Sequence, residues 1–179
     1  MRSALITFFA CFLGMLAALL VFHQYRKYDA ARVEAAKDAE LQARIEQGRK
    51  LAEKTVAEYS AAQALRSDMI ATAMAKNAVS ETYFSRGRMP INNAEAGLGE
   101  PQSYRGQSLA SLTVMDGGVI RLVFDEASGV DGGTVEWVPN MGEMESMGLQ
   151  WRCLSTDYPG IVRALPDCTF MPRQAVNTE

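Results

Sequence analysis

Histidine is almost absent from this 179-residue chain, and its cysteines are few and scattered. The one histidine, His23, adjoins an apolar run, so the chain offers no Ser/His/Asp arrangement for nucleophilic catalysis. No Cys-x-x-Cys or Cys/His cluster has the spacing of a metal site, and no glycine-rich phosphate loop follows a strand pattern. We therefore predict no catalytic, cofactor-binding or metal-binding residues, no cofactor, no small-molecule substrate and no enzymatic activity.

Charge is missing from residues 4–22, and proline is missing from residues 1–89. As a helix, this uncharged run spans about 28 Å, close to the hydrocarbon thickness of a bilayer. Aromatic and basic residues follow it directly, as at a membrane interface. We predict a transmembrane anchor and interface at residues 1–28. A cleaved signal peptide and a lipoprotein modified at Cys11 are the alternatives, although neither signal fits the flanking residues well.

Residues 29–62 are charged and rich in strong helix formers. Opposite charges lie one turn apart, as in Glu40 with Arg44 and Glu46 with Lys50. We predict a charged helical stalk with a solvated face, and pairing with a partner helix is the alternative. Bulkier apolar residues gather after the stalk and are predicted to pack on a distal domain: Leu65, Met69, Ile70, Met74, Val79 and Tyr83.

The apolar period changes from helical to strand-like after residue 108. Apolar runs at residues 109–115, 119–124, 134–138 and 149–153 predict four strands, and Asp116-Gly117-Gly118 predicts a tight turn between the first two. Short connections favour an antiparallel sheet, and the second half of the long helix is the element available to cover it. The predicted fold class is therefore α+β. We expect a globular domain at residues 63–172 and a tail at 173–179.

Two of the three cysteines lie in this distal domain. Cys11 is inside the apolar run, whereas Cys153 and Cys168 are separated by a short segment. A bond between them would stabilise the domain by about 3 kcal/mol in the chain-entropy model. We predict a Cys153–Cys168 disulfide, with two unrelated free thiols as the alternative. A disulfide indicates an oxidising compartment, which places the domain on the far side of the cytoplasmic membrane.

Several other groups of residues are weaker candidates for function. The net charge of −3 gives no general attraction to nucleic acid, so we expect no nucleic-acid partner. We favour a solvated rim for the acidic cluster of Asp125, Glu126, Asp131 and Glu136, and a space-filling role for Met141, Met144 and Met147 of the methionine-rich loop. For the basic pair Arg86 and Arg88 we expect no DNA contact, and for Trp137 and Trp151 we expect core positions.

Three sets of motifs, taken in chain order, resemble type IV pilins. The first resembles the end of a pilin membrane helix and consists of Gly14-Met15-Leu16-Ala17-Ala18 with Gln24-Tyr25. The second resembles the family's A-V-x-E-Y-Y, G-x-W-P and N-N-A-x-A-G-L motifs and consists of Ala78-Val79-Ser80-Glu81-Thr82-Tyr83, Gly87-Arg88-Met89-Pro90 and Asn92-Asn93-Ala94-Glu95-Ala96-Gly97-Leu98. The third resembles the family's W-x-C strand and closing L-P-x-x-C and consists of Trp151-Arg152-Cys153 with Leu165-Pro166-Asp167-Cys168.

The resemblance implies a pilin fold, in which the second half of a curved N-terminal helix lies on a four-stranded antiparallel sheet and a disulfide closes a C-terminal loop. Some family features differ here. Met1-Arg2-Ser3 does not resemble the charged prepilin leader that ends in glycine, and no acid precedes Asp29, so the glutamate used in filament assembly is missing. The helix also carries about 30 residues more than the family's before Tyr83, roughly 45 Å of extra length.

The combined reading is a membrane-anchored, pilin-like structural protein of the bacterial inner membrane, single-pass, with its C-terminal domain in the periplasm. We expect an association with type IV pilus structure or assembly, adhesion or motility, and other pilins or pilus assembly proteins as partners. The alternative is a tethered periplasmic binding or adaptor module that uses a pilin scaffold and is not built into a filament.

Overall fold

The computed structural model describes the backbone of residues 2–145 and 148–172, and the side-chain surroundings of residues 13–141 and 148–172. The chain divides into two compact units, Met1–Glu53 and Lys54–Glu179. The boundaries predicted at residues 28, 62 and 172 stay predictions.

The first unit consists of helix α1 (Arg2–Ala71) up to residue 53. From residue 30 to 53 every side chain is exposed except that of Glu46, which is half-buried. In the part of the chain that the structure describes, no helix is long and apolar enough to cross a membrane. The anchor predicted at residues 1–28 stays a prediction, and the side chains of residues 1–12 lie outside the described set.

The second unit begins with the last turns of α1 and continues into helix α2 (Ala73–Arg86). The two helices are separated at Thr72, whose hydroxyl donates to the carbonyl of Met69 at 3.0 Å and whose carbonyl accepts from the N–H of Ala75 at 3.0 Å. Helix α2 ends at Gly87, which has the left-handed conformation (φ 72°) that a helix-terminating glycine favours. The left-handed glycine therefore ends the helix.

Five strands form one sheet in the order β1 to β5. The first three pairings down the chain are antiparallel, and the last strand pairs in parallel with its neighbour, Cys153 opposite Cys168. A short helix, α3 (Ile161–Ala164), lies between the last two strands. The strands are β1 (Leu109–Met115), β2 (Val119–Phe124), β3 (Thr134–Glu145), β4 (Gly148–Ser155) and β5 (Cys168–Phe170).

This architecture confirms the predicted α+β fold and adds two features to it. The fifth strand has only three residues, too few to show a strand pattern in the sequence. The loop predicted at residues 141–147 is instead strand as far as Glu145, because β3 and β4 extend together as a hairpin, with Asn140 opposite Gln150.

The hydrophobic core lies between the helices and one face of the sheet. Alternate residues of β2 point into it, namely Ile120, Leu122 and Phe124, all fully buried. The helices contribute buried side chains from one side only: Leu65, Met69, Ala75 and Val79. Ile70 and Met74 do not join this core, although the sequence predicted them to pack on the domain, because they lie on the other side of the helix and are exposed.

Candidate functional site

Large apolar side chains line the side of the helices that faces away from the sheet. Ile70 is 77% exposed, Met74 60%, Tyr59 65% and Phe84 60%. Ile70 and Met74 are four residues apart, and Tyr59 precedes Ile70 by eleven, so these three share one side of α1 and its continuation. We call these four residues the outer helix face.

The opposite side of the same helical stretch is buried in the core through Leu65, Met69 and Val79. A helix that is apolar on one side only is typical of a protein surface, whereas apolar residues on two sides are typical of a helix that is covered on both. The outer helix face is therefore the candidate contact surface of this unit.

A buried carboxylate fixes the helix to the first strand beneath this face. Asp68, 2% exposed, accepts four hydrogen bonds: from the N–H of Gln107 at 2.8 Å, from the N–H and hydroxyl of Ser108 at 2.7 Å each, and from the N–H of Leu109 at 2.9 Å. Gly106 makes room for this contact, since a Cβ there would overlap the Asp68 carboxylate. The helix therefore cannot slide along the sheet without breaking all four bonds.

Two basic side chains fix the same helical region elsewhere. The Arg66 guanidinium donates to the carbonyls of Ala164 at 2.6 Å and Arg163 at 2.8 Å, at the end of α3. The Lys76 ammonium lies 3.9 Å from the centre of the Trp137 ring, a cation–π contact. Burial lowers the pKa of Lys76, and the nearby charge of Asp167 acts in the opposite direction. Together with Asp68, these contacts fix the helices that carry the outer helix face to the sheet and to α3.

The edge of β1 is occupied by a side chain. The Asn93 amide donates to the carbonyl of Leu112 at 3.0 Å and to that of Gly99 at 2.9 Å, and its oxygen accepts from the N–H of Val114 at 2.5 Å. Leu112 and Val114 thus find on Asn93 the two partners that a neighbouring strand would offer.

The predicted disulfide between Cys153 and Cys168 is present, and the two Cα atoms are 4.4 Å apart. The enclosed loop has further anchors. Tyr158 and Ser128 share a hydrogen bond of 2.6 Å between their hydroxyls, and Asp157 accepts from the hydroxyl of Thr134 at 2.6 Å. Burial raises the pKa of Tyr158, and the bond with Ser128 opposes that shift.

A groove of about 700 Å³ lies in the second unit beside this loop. One wall is the helix between Lys54 and Leu65, and the others are the turn after β2 and the loop around α3. Small and apolar side chains such as Ala61 and Ile161 line it, with the phenol of Tyr158 among them.

The weaker candidates of the sequence are mostly engaged in local contacts. Asp125 accepts from the N–H of Ala127 in a turn, and Glu136 pairs with Arg121 at 2.8 Å. Among the described residues, no group of three or more His, Cys, Asp or Glu side chains could hold a metal ion.

The basic pair and the aromatic and methionine candidates can also be placed. Arg88 donates two hydrogen bonds to Glu95, at 2.8 and 3.1 Å, and this contact lowers the pKa of Glu95. Trp137 and Trp151 are half-buried and pack against the core, so they are less buried than the core positions predicted for them. The side chains of Met144 and Met147 lie outside the described residues.

Residues 60–174 match the family model for pilins, described as pilin (bacterial filament). The match covers more than half of the chain, so this chain belongs to the pilin family. That is a structural, non-enzymatic family, and the resemblance drawn from the motifs is confirmed. No individually curated protein matches the chain.

Proposed function

We propose that this pilin serves type IV pilus structure or assembly, and that its outer helix face packs against a neighbouring pilin. The observation that carries the proposal is the helix that is apolar on two sides, with Met69 buried and Ile70 beside it 77% exposed. Membership of a family of filament proteins supports a second pilin as the covering partner. Roles in adhesion or motility would follow from that assembly.

Substitution in the outer helix face tests the proposal. We expect Ile70→Glu and Met74→Glu to reduce the number of pili on cells, because a charge would be buried at the contact. Ile91→Glu is the matched control, since Ile91 is an exposed isoleucine (50%) in the loop after α2. Pili are counted by electron microscopy, and immunoblots verify equal protein levels. Normal piliation in both variants would contradict the proposal.

We further propose that residues 1–28 anchor the chain in the inner membrane, with the second unit in the periplasm. The uncharged run at residues 4–22 supports the anchor, and the Cys153–Cys168 disulfide supports the oxidising compartment. Full-length protein should resist alkaline extraction from membranes, whereas a variant starting at residue 29 should not. Digestion of the second unit by protease added to spheroplasts should occur, and its protection would argue against the orientation.

The second candidate function is a tethered adaptor that is not built into a filament. The groove of about 700 Å³ favours it, because this hollow lies apart from the outer helix face. Deletion of the gene separates the two functions. Loss of pili in the deletion strain supports the role in pilus structure or assembly. An unchanged number of pili, both in the deletion strain and in the Met74→Glu variant, supports the adaptor.

A further inference from the structure

The side chains in the charged part of the first unit are almost all exposed. Between residues 30 and 53 every side chain is exposed except the half-buried Glu46. A Cβ added at Gly48 would meet nothing within 4 Å. Helices in proteins usually owe their stability to the packing of one face, so this stretch needs another source.

Ion pairs within the helix provide one such source. Arg49 is the centre of the set: its guanidinium donates to both carboxylate oxygens of Glu46, at 3.0 and 2.9 Å, and to Glu53 at 3.3 Å. Lys50 adds a contact to Glu46 at 3.7 Å, and Arg44 one to Glu40 at 2.7 Å. Four pairs thus join residues three or four apart, and in three of them the acid precedes the base, the more favourable order.

A partner helix is the competing source of stability, and the apolar residues argue against it. Leu41 and Ile45 lie on one side of the helix, but the next positions of the same side are Gly48 and Ala52. A two-stranded coiled coil needs large apolar residues at successive contact positions over several heptads. Large apolar residues return on this side only at Val56 and Tyr59, after the charged stretch, so within residues 29–53 the apolar contact positions are limited to one turn.

We infer that residues 29–53 form a self-supporting helix, a single α-helix in water held by its own ion pairs rather than by packing against another helix. Such a rod of 25 residues is about 37 Å long and exceeds the length below which isolated helices are marginal. The inference is independent of the proposed pilus function, because it concerns the folding of this stretch alone.

Hydrogen exchange of the full-length protein in detergent micelles, followed by mass spectrometry, tests the inference. Peptides from residues 29–53 should exchange more slowly than an unstructured reference, and tenfold dilution with micelles in excess should not change the rates. Raising the salt from about 10 mM to about 1 M, which shortens the screening length about tenfold, should speed exchange. Loss of protection on dilution would show a partner helix and overturn the inference, as would the absence of protection at low salt.

A pair of variants separates ion pairing from general charge effects. Arg49→Gln removes the central guanidinium while keeping helix propensity similar, and we expect about two- to fivefold faster exchange in residues 40–53. Lys37→Gln is the control, because among the described residues Lys37 forms no ion pair. Equal exchange in the two variants would refute the role of the pairs.

Discussion

Two stretches of the N-terminal helical region, residues 30–53 and 64–82, are both helical for different reasons. In the first, the ion pairs run along a helix whose side chains are exposed. In the second, one side is buried against a sheet and fixed by Asp68. Leu41 at 56% exposure and Leu65 at 3% show the contrast at the level of one residue type. Helix-forming composition therefore predicts a helix without showing whether that helix packs against another part of the structure.

Matched aspartate substitutions should give the largest difference between the two stretches. Asp68→Ala leaves three backbone N–H groups and one hydroxyl at the start of β1 without their acceptor, and we expect about 4 kcal/mol lower free energy of unfolding. Asp38→Ala, at an exposed position, should change it by less than about 0.5 kcal/mol. Urea denaturation monitored by tryptophan fluorescence measures both, and similar losses would remove the proposed contrast.

Leucine truncation tests the same contrast through packing. Leu65→Ala should cost about 3 kcal/mol, because it opens a cavity between helix and sheet. Leu41→Ala should cost almost nothing in global stability. A large effect of Leu41→Ala would show that a partner covers the first stretch. The same denaturation curves give both values.

Loss of the disulfide should lower the stability of the second unit alone. Replacing both Cys153 and Cys168 by serine should lower the free energy of unfolding by about 3 kcal/mol, and Arg66 and Tyr158 should still hold the loop. Exchange rates of residues 29–53 should stay at their wild-type values. If exchange in the first stretch also rises, the two stretches are coupled.

The smallest effect is expected at Tyr158. Tyr158→Phe removes the hydroxyl that bonds to Ser128 and should cost about 1 kcal/mol at neutral pH. Because burial raises the pKa of Tyr158 in the folded state, its contribution is fully present below the pKa of an unfolded tyrosine and is lost as pH rises through the folded value. Wild-type stability should therefore fall more steeply than that of the variant above about pH 10. An equal decrease of the free energy of unfolding with pH in the wild type and in the variant would contradict this prediction.

Local patterns in the sequence predicted a large part of the fold. Apolar runs predicted β1 and β2, the glycines after Asp116 predicted their turn, and the short segment between Cys153 and Cys168 predicted the disulfide. In these cases the interacting residues are close in sequence or share a simple period. The helical region was also predicted, since propensity and ion-pair spacing are properties of the segment itself, but its division at Thr72 was not.

Contacts between residues far apart in the sequence could not be predicted. Asp68 bonds to residues about 40 positions away, and nothing in its own segment distinguishes it from other helical acids. Ile70 and Met74 were predicted to join the core because spacing gives an apolar side without telling which side the sheet covers. Arg66 and Asn93 were missed for the same reason, although Asn93 lies in a motif shared with pilins.

The amide of Asn93 has a consequence for how copies of the chain can associate. Exposed strand edges can recruit strands from other chains, and this is a route to aggregation. Asn93 already bonds to the carbonyl of Leu112 and the N–H of Val114, so neither of these groups is free to pair with an additional strand at the edge of β1. Extension of the sheet at this edge would first have to break both bonds, so copies of the chain are expected to meet through side-chain surfaces rather than through an added strand.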